Sequence, residues 1–342
     1  ALVAQSIGGG GGFSLLTSDG SGTTQIGATN NIGNAISGNV NVTNKSLLFT
    51  QGVYSTALTA QSVGGGGGVT GSAMGGSVFG TKQASGNLSS GNVQAALSGN
   101  VVATGDNSSA IILQSIAGGG GFGAEVNGNA VLGMTSSART QANAGSITFD
   151  GKGQQVLTQG IDSPAIVLQS IGGGGGWICN VGGNATLGAN QIGSANSGSV
   201  KATIDYENIQ TTGENSTGVL AQAIAGGGGF TGTTTGNILN LGGTITNNST
   251  SSAGDVDVDN NATISTTGVN SAALIAQSIG GGGGASATSD GVSIRLGSIS
   301  KAIADGDLPT ISSGDISIAN AGNLGTSEVG SAGLIAQSIA GG

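Results

Sequence analysis

Residues 55–69 read STALTAQSVGGGGGV, a short apolar segment followed by a Gln-Ser pair and five consecutive glycines. Glycine loses more backbone freedom on ordering than any other residue, so such a run requires a structural reason. Close variants of this motif recur along the chain, and each contains a glutamine at the same place. These glutamines are Gln5, Gln61, Gln114, Gln169, Gln222, Gln277 and Gln337.

The spacing of the glutamines defines an internal repeat. Successive glutamines are 56, 53, 55, 53, 55 and 60 residues apart. We therefore predict one continuous array over residues 1–342, with approximate units at 5–60, 61–113, 114–168, 169–221, 222–276 and 277–336. Solenoid arrays need polar capping repeats, and both ends of this chain carry the ordinary motif. We accordingly expect the chain to be an excerpt of a longer array.

The local pattern is that of β-strands throughout. Segments such as GNVNVTN (38–44), GSITFDG (145–151) and GDVDVDN (254–260) alternate between apolar and polar residues and end at Gly, Asn or Asp. Short strands combined with a long repeat predict an all-β fold, a parallel β-solenoid. With roughly 18–20 residues in a coil, each repeat would form about three coils, and two larger coils are the alternative.

The strand before the glycines is apolar on both faces. In residues 274–279, one face carries Leu274, Ala276 and Ser278, and the other carries Ile275, Gln277 and Ile279. This pattern is typical of a strand buried on both sides. We expect the second face to be covered by the glycine run folding back over its own strand, or by another copy of the fibre. The alternative is that the glycines form a flexible loop at a coil corner.

Aromatic residues follow the glycine run in four copies of the motif. They are Phe13, Phe122, Trp177 and Phe230, in a chain with only nine aromatic residues. We predict that they form an apolar column that stabilises stacked coils. The alternative is an exposed aromatic row that binds sugars or a protein partner.

The recurring glutamine and a recurring serine are expected to have structural roles. Stacked glutamines can form a buried amide ladder. Three coils per repeat, however, would place them about 14 Å apart, so we expect them to bond to the backbone of neighbouring coils. The serine lies six residues before the glutamine and is expected to bond within a turn. These serines are Ser55, Ser108, Ser163, Ser216, Ser271 and Ser331.

The composition excludes several kinds of chemistry. The chain has no histidine and one cysteine, Cys179, so a Ser-His-Asp triad, a histidine-ligated metal and a catalytic Cys-His pair are impossible. The net charge is −9 and the seven basic residues are scattered, which disfavours nucleic acid as a partner. No apolar run approaches the ~18 residues of a membrane span. We predict that the segment is not an enzyme, has no cofactor and does not cross a membrane.

One acidic group is a weak candidate for calcium. Asp255, Asp257 and Asp259 alternate with two valines, which places all three carboxylates on one face of a strand. Carboxylate oxygens are ligands that Ca²⁺ prefers. The pattern occurs in one repeat only, so a solvated outer face is the competing interpretation.

Two copies of the motif resemble a known family most clearly. They are TGENSTGVLAQAIAGGGG (212–229) and TGVNSAALIAQSIGGGGG (267–284). They resemble the glycine-rich repeats of very large bacterial autotransporter passenger regions, and the resemblance extends over the whole chain. It implies a right-handed parallel β-helix. It also implies an extracellular setting on a Gram-negative cell surface, attached to the outer membrane.

These observations favour a mechanical function. We expect a structural or adhesive fibre or stalk that associates with copies of itself, laterally or end to end. The doubly apolar strand suggests lateral association, and host or surface glycans are a further class of partner. The alternative is a passenger scaffold that presents a binding or enzymatic site outside this segment.

Overall fold

The computed structural model describes residues 2–17, 22–28, 31–80, 83–133, 140–190, 192–246, 249–289, 293–301 and 308–341. Within these residues the chain forms β-strands and turns, with no helix. Each repeat makes one large coil, and the coils stack along a common axis.

The first three coils begin at successive glutamine motifs. Coil 1 contains β1 (Leu2–Gly8), β2 (Gly11–Thr17), β3 (Thr24–Ile26), β4 (Asn31–Ile32), β5 (Ala35–Ile36), β6 (Val40–Asn44) and β7 (Leu48–Thr50). Coil 2 contains β8 (Leu58–Gly64), β9 (Gly67–Ala73), β10 (Ser77–Phe79), β11 (Gln83–Ala84), β12 (Asn87–Ser89), β13 (Val93–Leu97) and β14 (Val101–Ala103). Coil 3 contains β15 (Ile111–Ala117), β16 (Gly120–Val126), β17 (Ala130–Leu132), β18 (Thr140–Asn143) and β19 (Ile147–Thr158).

The remaining coils follow the same plan. Coil 4 contains β20 (Ile166–Ile171), β21 (Gly175–Val181), β22 (Ala185–Leu187), β23 (Ile192–Asn196) and β24 (Val200–Thr211). Coil 5 contains β25 (Val219–Ile224), β26 (Gly228–Thr234), β27 (Ile238–Leu241), β28 (Thr244–Thr246), β29 (Thr250–Ser252), β30 (Val256–Asn260) and β31 (Thr263–Thr266). Coil 6 contains β32 (Leu274–Ile279), β33 (Gly283–Ser289), β34 (Ser293–Leu296), β35 (Ile299–Lys301), β36 (Thr310–Ser312), β37 (Ile316–Asn320) and β38 (Leu324–Thr326), and β39 (Leu334–Ile339) follows it.

Equivalent strands of adjacent coils pair in parallel and in register. The glutamine sheet has the order β1-β8-β15-β20-β25-β32-β39, and Gln5 lies opposite Gln61. This confirms the predicted parallel β-solenoid. The expectation of three coils per repeat, and its alternative of two, are wrong, because glutamine strands of successive repeats are direct hydrogen-bonded neighbours. One coil takes a whole repeat because the chain contributes a strand to each of several sheets before it returns to the glutamine sheet.

The coil folds into four layers. The outer sheet (β6-β13-β19-β24-β30-β37, with β7, β14, β31 and β38) packs on one face of the glutamine sheet. The glycine sheet (β2-β9-β16-β21-β26-β33) packs on the other face. The third sheet (β3-β10-β17-β22-β27-β34) packs on the far side of the glycine sheet. The shorter strands β5, β12, β18, β23, β28, β29, β35 and β36 close the coil between the third and outer sheets.

The glycine sheet is what covers the second apolar face of the glutamine strand. Leu274 and Ala276 lie in the core shared with the outer sheet, whereas Ile275 lies in the core shared with the glycine sheet. The strand is therefore buried on both sides, as predicted, and the chain supplies both covers. Of the interpretations drawn from the sequence, the glycine run folding back over its own strand is the correct one.

The glycines serve two geometric needs, which coil 3 illustrates. Gly118 and Gly119 make the turn between β15 and β16 with φ of 91° and 82°. Gly121 continues into the strand with φ of 147°, and a Cβ atom there would overlap the carbonyl oxygen of Gly68 in the adjacent coil. Only glycine adopts this backbone conformation at such close approach. The run is thus an ordered turn and a strand, not a flexible loop.

Two glycines of the same strand provide a matched pair of substitutions. We expect Gly121→Ala to lower the free energy of unfolding by about 2 kcal/mol or more, because the added Cβ strains the backbone and displaces a ladder carbonyl. Gly123→Ala adds the same atom where the nearest atoms are side-chain carbons 3.7 Å away, with no positive φ. We expect it to change the free energy by less than about 1 kcal/mol. Urea unfolding of both variants distinguishes them, and equal losses would contradict this account of the glycine run.

Candidate functional site

The glutamines form one continuous hydrogen-bonded ladder through the interior. The side-chain Nε2 of each donates to Oε1 of the glutamine in the next coil, at 2.8 Å for Gln5 to Gln61 and 2.5 Å for Gln61 to Gln114. The next four links, to Gln169, Gln222, Gln277 and Gln337, are each 2.7 Å. All donors point toward the later coil, so the ladder has a direction.

This ladder corrects the expectation that the glutamines bond to the backbone of neighbouring coils. Because each repeat is one coil, successive glutamines lie about one strand spacing apart, about 4.8 Å, and their amides meet directly. Backbone contacts are secondary: Gln114 Nε2 lies 3.4 Å from the carbonyl oxygen of Gly121, and Gln169 Nε2 lies 3.4 Å from that of Gly176. The glycine strand leaves room for the amide layer.

The recurring serines connect the turns of adjacent coils. The Ser163 hydroxyl accepts a hydrogen bond from the Ser108 backbone N at 2.9 Å and donates to the Gly105 carbonyl at 3.2 Å. The same hydrogen bond, from a serine backbone N to the hydroxyl of the serine in the next coil, is repeated at Ser55, Ser163, Ser216 and Ser271. The column therefore runs to Ser331. The serines lie in turns, and their hydroxyls also supply bonds between coils.

A second column of serines was not singled out from the sequence. The serine next to the ladder glutamine joins the glutamine sheet to the turn that leads into the outer sheet. Ser115 Oγ donates to the Gly91 carbonyl at 2.8 Å and accepts from the Gly145 N at 2.9 Å. Where Ala223 replaces this serine, Ser197 Oγ accepts from the Gly254 N instead, at 3.0 Å. In the sequence, the recurrent Gln-Ser pair was the signal that could have identified this second serine column.

Three of the four predicted column aromatics are fully buried. Phe122, Trp177 and Phe230 are at most 2 % exposed, and the Trp177 and Phe230 rings stack at 4.4 Å with a 14° interplanar angle. They belong to the core between the glutamine and glycine sheets, so the interpretation as an exposed binding row is wrong for them. Phe13, in the first coil, is 48 % exposed.

Cys179 is buried in the same core. Trp177 Nε1 donates to its sulfur at 2.9 Å. Burial raises the pKa of the Cys179 thiol well above its usual value, so the reactive thiolate is disfavoured.

The three aspartates considered for calcium lie along the outer sheet. Val256 and Val258 are buried while Asp255 and Asp259 are exposed, as the alternation predicted. Asp257 Oδ2 lies 3.8 Å from Lys201 Nζ, and Asp255 Oδ1 accepts from the Asp315 N at 2.8 Å. Among the described residues, no cluster of three His, Cys, Asp or Glu side chains is arranged to hold a metal ion.

A column of turn residues has left-handed backbone geometry. Tyr54, Asn107, Asp162, Asn215 and Asn270 occupy equivalent positions of adjacent coils, with φ between 52° and 58°. Asparagine and aspartate adopt this conformation more readily than other side-chain-bearing residues. We call these five residues the turn column. The Gly-x-Asn-Ser pattern at 105–108, 213–216 and 268–271 was a signal for it.

Side chains of the turn column bond to the glycine sheet. Asn270 Nδ2 donates to Thr288 Oγ1 at 3.0 Å, and Asn215 Nδ2 donates to Thr233 Oγ1 at 3.0 Å. Tyr54 donates its hydroxyl proton to Glu125. Burial, reinforced by the Glu125 contact, raises the pKa of Tyr54 to about 12. The column thus closes one side of the aromatic core.

Asp162 is the acidic member of the turn column. Its side chain is 2 % exposed, and its carboxylate accepts from Thr233 Oγ1 at 3.0 Å. Burial raises the pKa of Asp162 to about 7, although hydrogen bonds from Thr233 and Asn215 act in the opposite direction.

A surface cavity of about 230 Å³ opens beside the first coils, between Phe13, Tyr54 and Phe122. The described residues that line it carry no carboxylate, amine or thiol. The cavity lining offers apolar and hydroxyl contacts and the side-chain amide of Gln51.

Comparison with known proteins adds no functional assignment. No family model, curated protein or solved structure matches this chain. In the part of the chain that the structure describes, no helix has the length and apolarity to span a membrane.

The ladder can be tested at its middle and at its end. Gln169→Leu leaves Gln114 Nε2 and Gln222 Oε1 buried without their main partners, and we expect a loss of about 2–5 kcal/mol in the free energy of unfolding. Gln5→Leu removes one partly buried link at the first coil, and we expect a loss below about 1.5 kcal/mol. Urea unfolding provides the comparison. A larger effect at Gln5 than at Gln169 would contradict a cooperative buried ladder.

Proposed function

We propose that the chain is a segment of a structural and adhesive fibre or stalk on a bacterial cell surface. The supporting observation is that the glutamine, serine and glycine columns continue through successive coils, so the interior is built for stacking. A solenoid of this kind gains length by adding repeats.

The layered coil suits a stiff, broad rod. Each repeat of about 55 residues adds one strand spacing of about 4.8 Å to the axis, a third of the length that three coils would give. Each added repeat also forms parallel hydrogen bonds in several sheets and extends three hydrophobic cores. Such a rod resists bending more than a thin single-layered coil of equal height.

Self-association is proposed to run end to end. The doubly apolar strand, which suggested lateral association, has both faces covered within the chain. The ladder has a direction, since every Nε2 donates toward the later coil. Two open coil faces of such a ladder have complementary hydrogen-bonding groups, donor on one and acceptor on the other, which favours end-to-end stacking.

A scaffold function is the second candidate, and the outer sheet favours it. Its outward column contains Phe49, Val102, Leu157, Gln210 and Ser265 in successive coils, so its chemistry changes while the interior repeats. Such a surface presents different side chains to partners in successive coils. As a scaffold, the solenoid would also hold a binding or enzymatic site that lies outside this segment.

Surface display tests the adhesive proposal. The segment is displayed on a non-adherent Gram-negative strain, with the bare display carrier as the baseline and Gly123→Ala as a matched variant that keeps the fold. We expect the displayed segment and Gly123→Ala to increase cell attachment or cell-cell aggregation to a similar extent. Gly121→Ala is expected to reduce this effect because it disturbs the glycine sheet.

Attachment equal to that of the bare carrier, with display and folding intact, would contradict the adhesive function. The scaffold candidate would then be favoured.

A further inference from the structure

The turn column contains a break in its hydrogen bonding. Asn270 Nδ2 lies 3.4 Å from Asn215 Oδ1. At this step, therefore, the side chain of the later coil donates a hydrogen bond to the side chain of the earlier coil. One coil earlier, Asn215 and Asp162 are linked through the glycine sheet, because Asn215 Nδ2 donates to Thr233 Oγ1, which donates to the Asp162 carboxylate, each at 3.0 Å. One coil earlier again, Asp162 lies opposite Asn107. An ionised Asp162 carboxylate has no proton to donate to Asn107, so the donor-to-acceptor pattern stops there.

Asn107 shows the consequence of this break. Its Oδ1 is buried and has no hydrogen-bond partner. The two residues are in register, because Asn107 N donates to the Ile161 carbonyl at 2.8 Å and Asp162 N donates to the Glu214 carbonyl at 2.9 Å. A buried acceptor without a hydrogen-bond donor destabilises the folded state, because it has lost its bonds to water.

We propose that Asp162 carries a proton in the folded protein and donates it to Asn107 Oδ1, forming a pH-sensitive latch in the turn column. The proton restores the donor-to-acceptor direction of the column and satisfies the buried oxygen. Loss of the proton leaves a buried carboxylate beside an unpaired acceptor, which loosens the turn column against the glycine sheet.

The surroundings of Asp162 favour the protonated form. The negative charges of Asp106 and Glu214, in the turns of the adjacent coils, both disfavour ionisation of Asp162. On the glycine sheet, Cys179 is the titratable group that interacts with Asp162, and its thiol is neutral. Gly232 leaves room for the carboxyl group, since a Cβ there would overlap Asp162 Oδ1. The polar partners Thr233 and Asn215 supply neutral hydrogen bonds only.

The direction of the pH effect follows from the raised pKa of Asp162, about 7 against an ordinary value of 3.8. The folded state binds this proton more tightly than the unfolded chain, so its stabilising effect is complete below about pH 4. It is lost as the pH rises toward about 7 and is absent above that. The unfolding equilibrium constant should therefore rise by about 10- to 1000-fold across this window.

Urea unfolding between pH 4 and pH 9 tests the latch on the full chain. Asp162→Asn supplies a permanent amide donor, the group that Asn215 and Asn270 have at the equivalent positions. We expect this variant to lose the pH-dependent rise seen in the unmodified chain and to be more stable at pH 8. The control Asp259→Asn removes an exposed carboxylate on the outer sheet and should keep the original pH profile. A parallel profile for Asp162→Asn and the unmodified chain would overturn the proposal.

Infrared difference spectroscopy identifies the proton directly. The carboxylic-acid band that Asp162→Asn removes should titrate near pH 7 in the unmodified chain. In Asn107→Ala, which lacks the acceptor, the midpoint of this band should fall by about one pH unit, the shift expected when one hydrogen bond to the protonated form is lost. Titration near pH 4, or a midpoint unchanged by Asn107→Ala, would contradict the donation to Asn107.

Discussion

In-register stacking of equivalent residues in adjacent coils is the constraint on which this structure depends. In a parallel ladder each side chain lies about 4.8 Å from its counterpart, so each column must be compatible with itself. Apolar columns meet this condition by packing, as Val63, Ile116, Ile171, Ile224 and Ile279 do. Polar columns meet it only when each member both donates and accepts, which amides and hydroxyls do and carboxylates do not.

The glutamine and glycine columns are best understood together. A buried amide is unfavourable unless its hydrogen bonds are satisfied, and the Gln ladder satisfies them along the axis. The ladder also fixes register, because a shift of one residue would bring each glutamine opposite the Ser that follows its counterpart or the Ala or Leu that precedes it, and would break the chain of amide pairs. Because its strands begin with glycines, the glycine sheet can pack closely against the amide layer of the glutamine sheet. The motif therefore specifies two adjacent layers of every coil, the glutamine sheet and the glycine sheet, and the aromatic column fills the interface between them.

The sequence predicted the parts of the fold that depend on local pattern. The alternation in segments such as 254–260 led to a parallel solenoid, and the doubly apolar strand 274–279 led to a second cover, for which the glycine run was one of two candidates. The number of coils per repeat was not predictable in the same way, because it depends on how many layers the chain crosses before it returns. That error also produced the wrong partners for Gln114 and its equivalents.

The candidate site was partly visible in the sequence. Its glutamines, serines and aromatic residues were identified by recurrence, whereas the turn column depends on backbone conformation that recurrence alone does not give. Tyr54 shows why, since its residue type does not signal a left-handed turn. Asp162 likewise becomes distinctive only once its burial and its neighbour Asn107 are known.

The most direct test of the account is the axial distance between equivalent residues of successive repeats, measured by electron cryo-microscopy of the segment or of fibres that contain it. One coil per repeat predicts a separation of about 4.8 Å between the Cα atoms of Gln114 and Gln169. A separation near 10 or 14 Å would mean two or three coils per repeat. It would contradict the glutamine ladder, the glycine sheet and the turn column together.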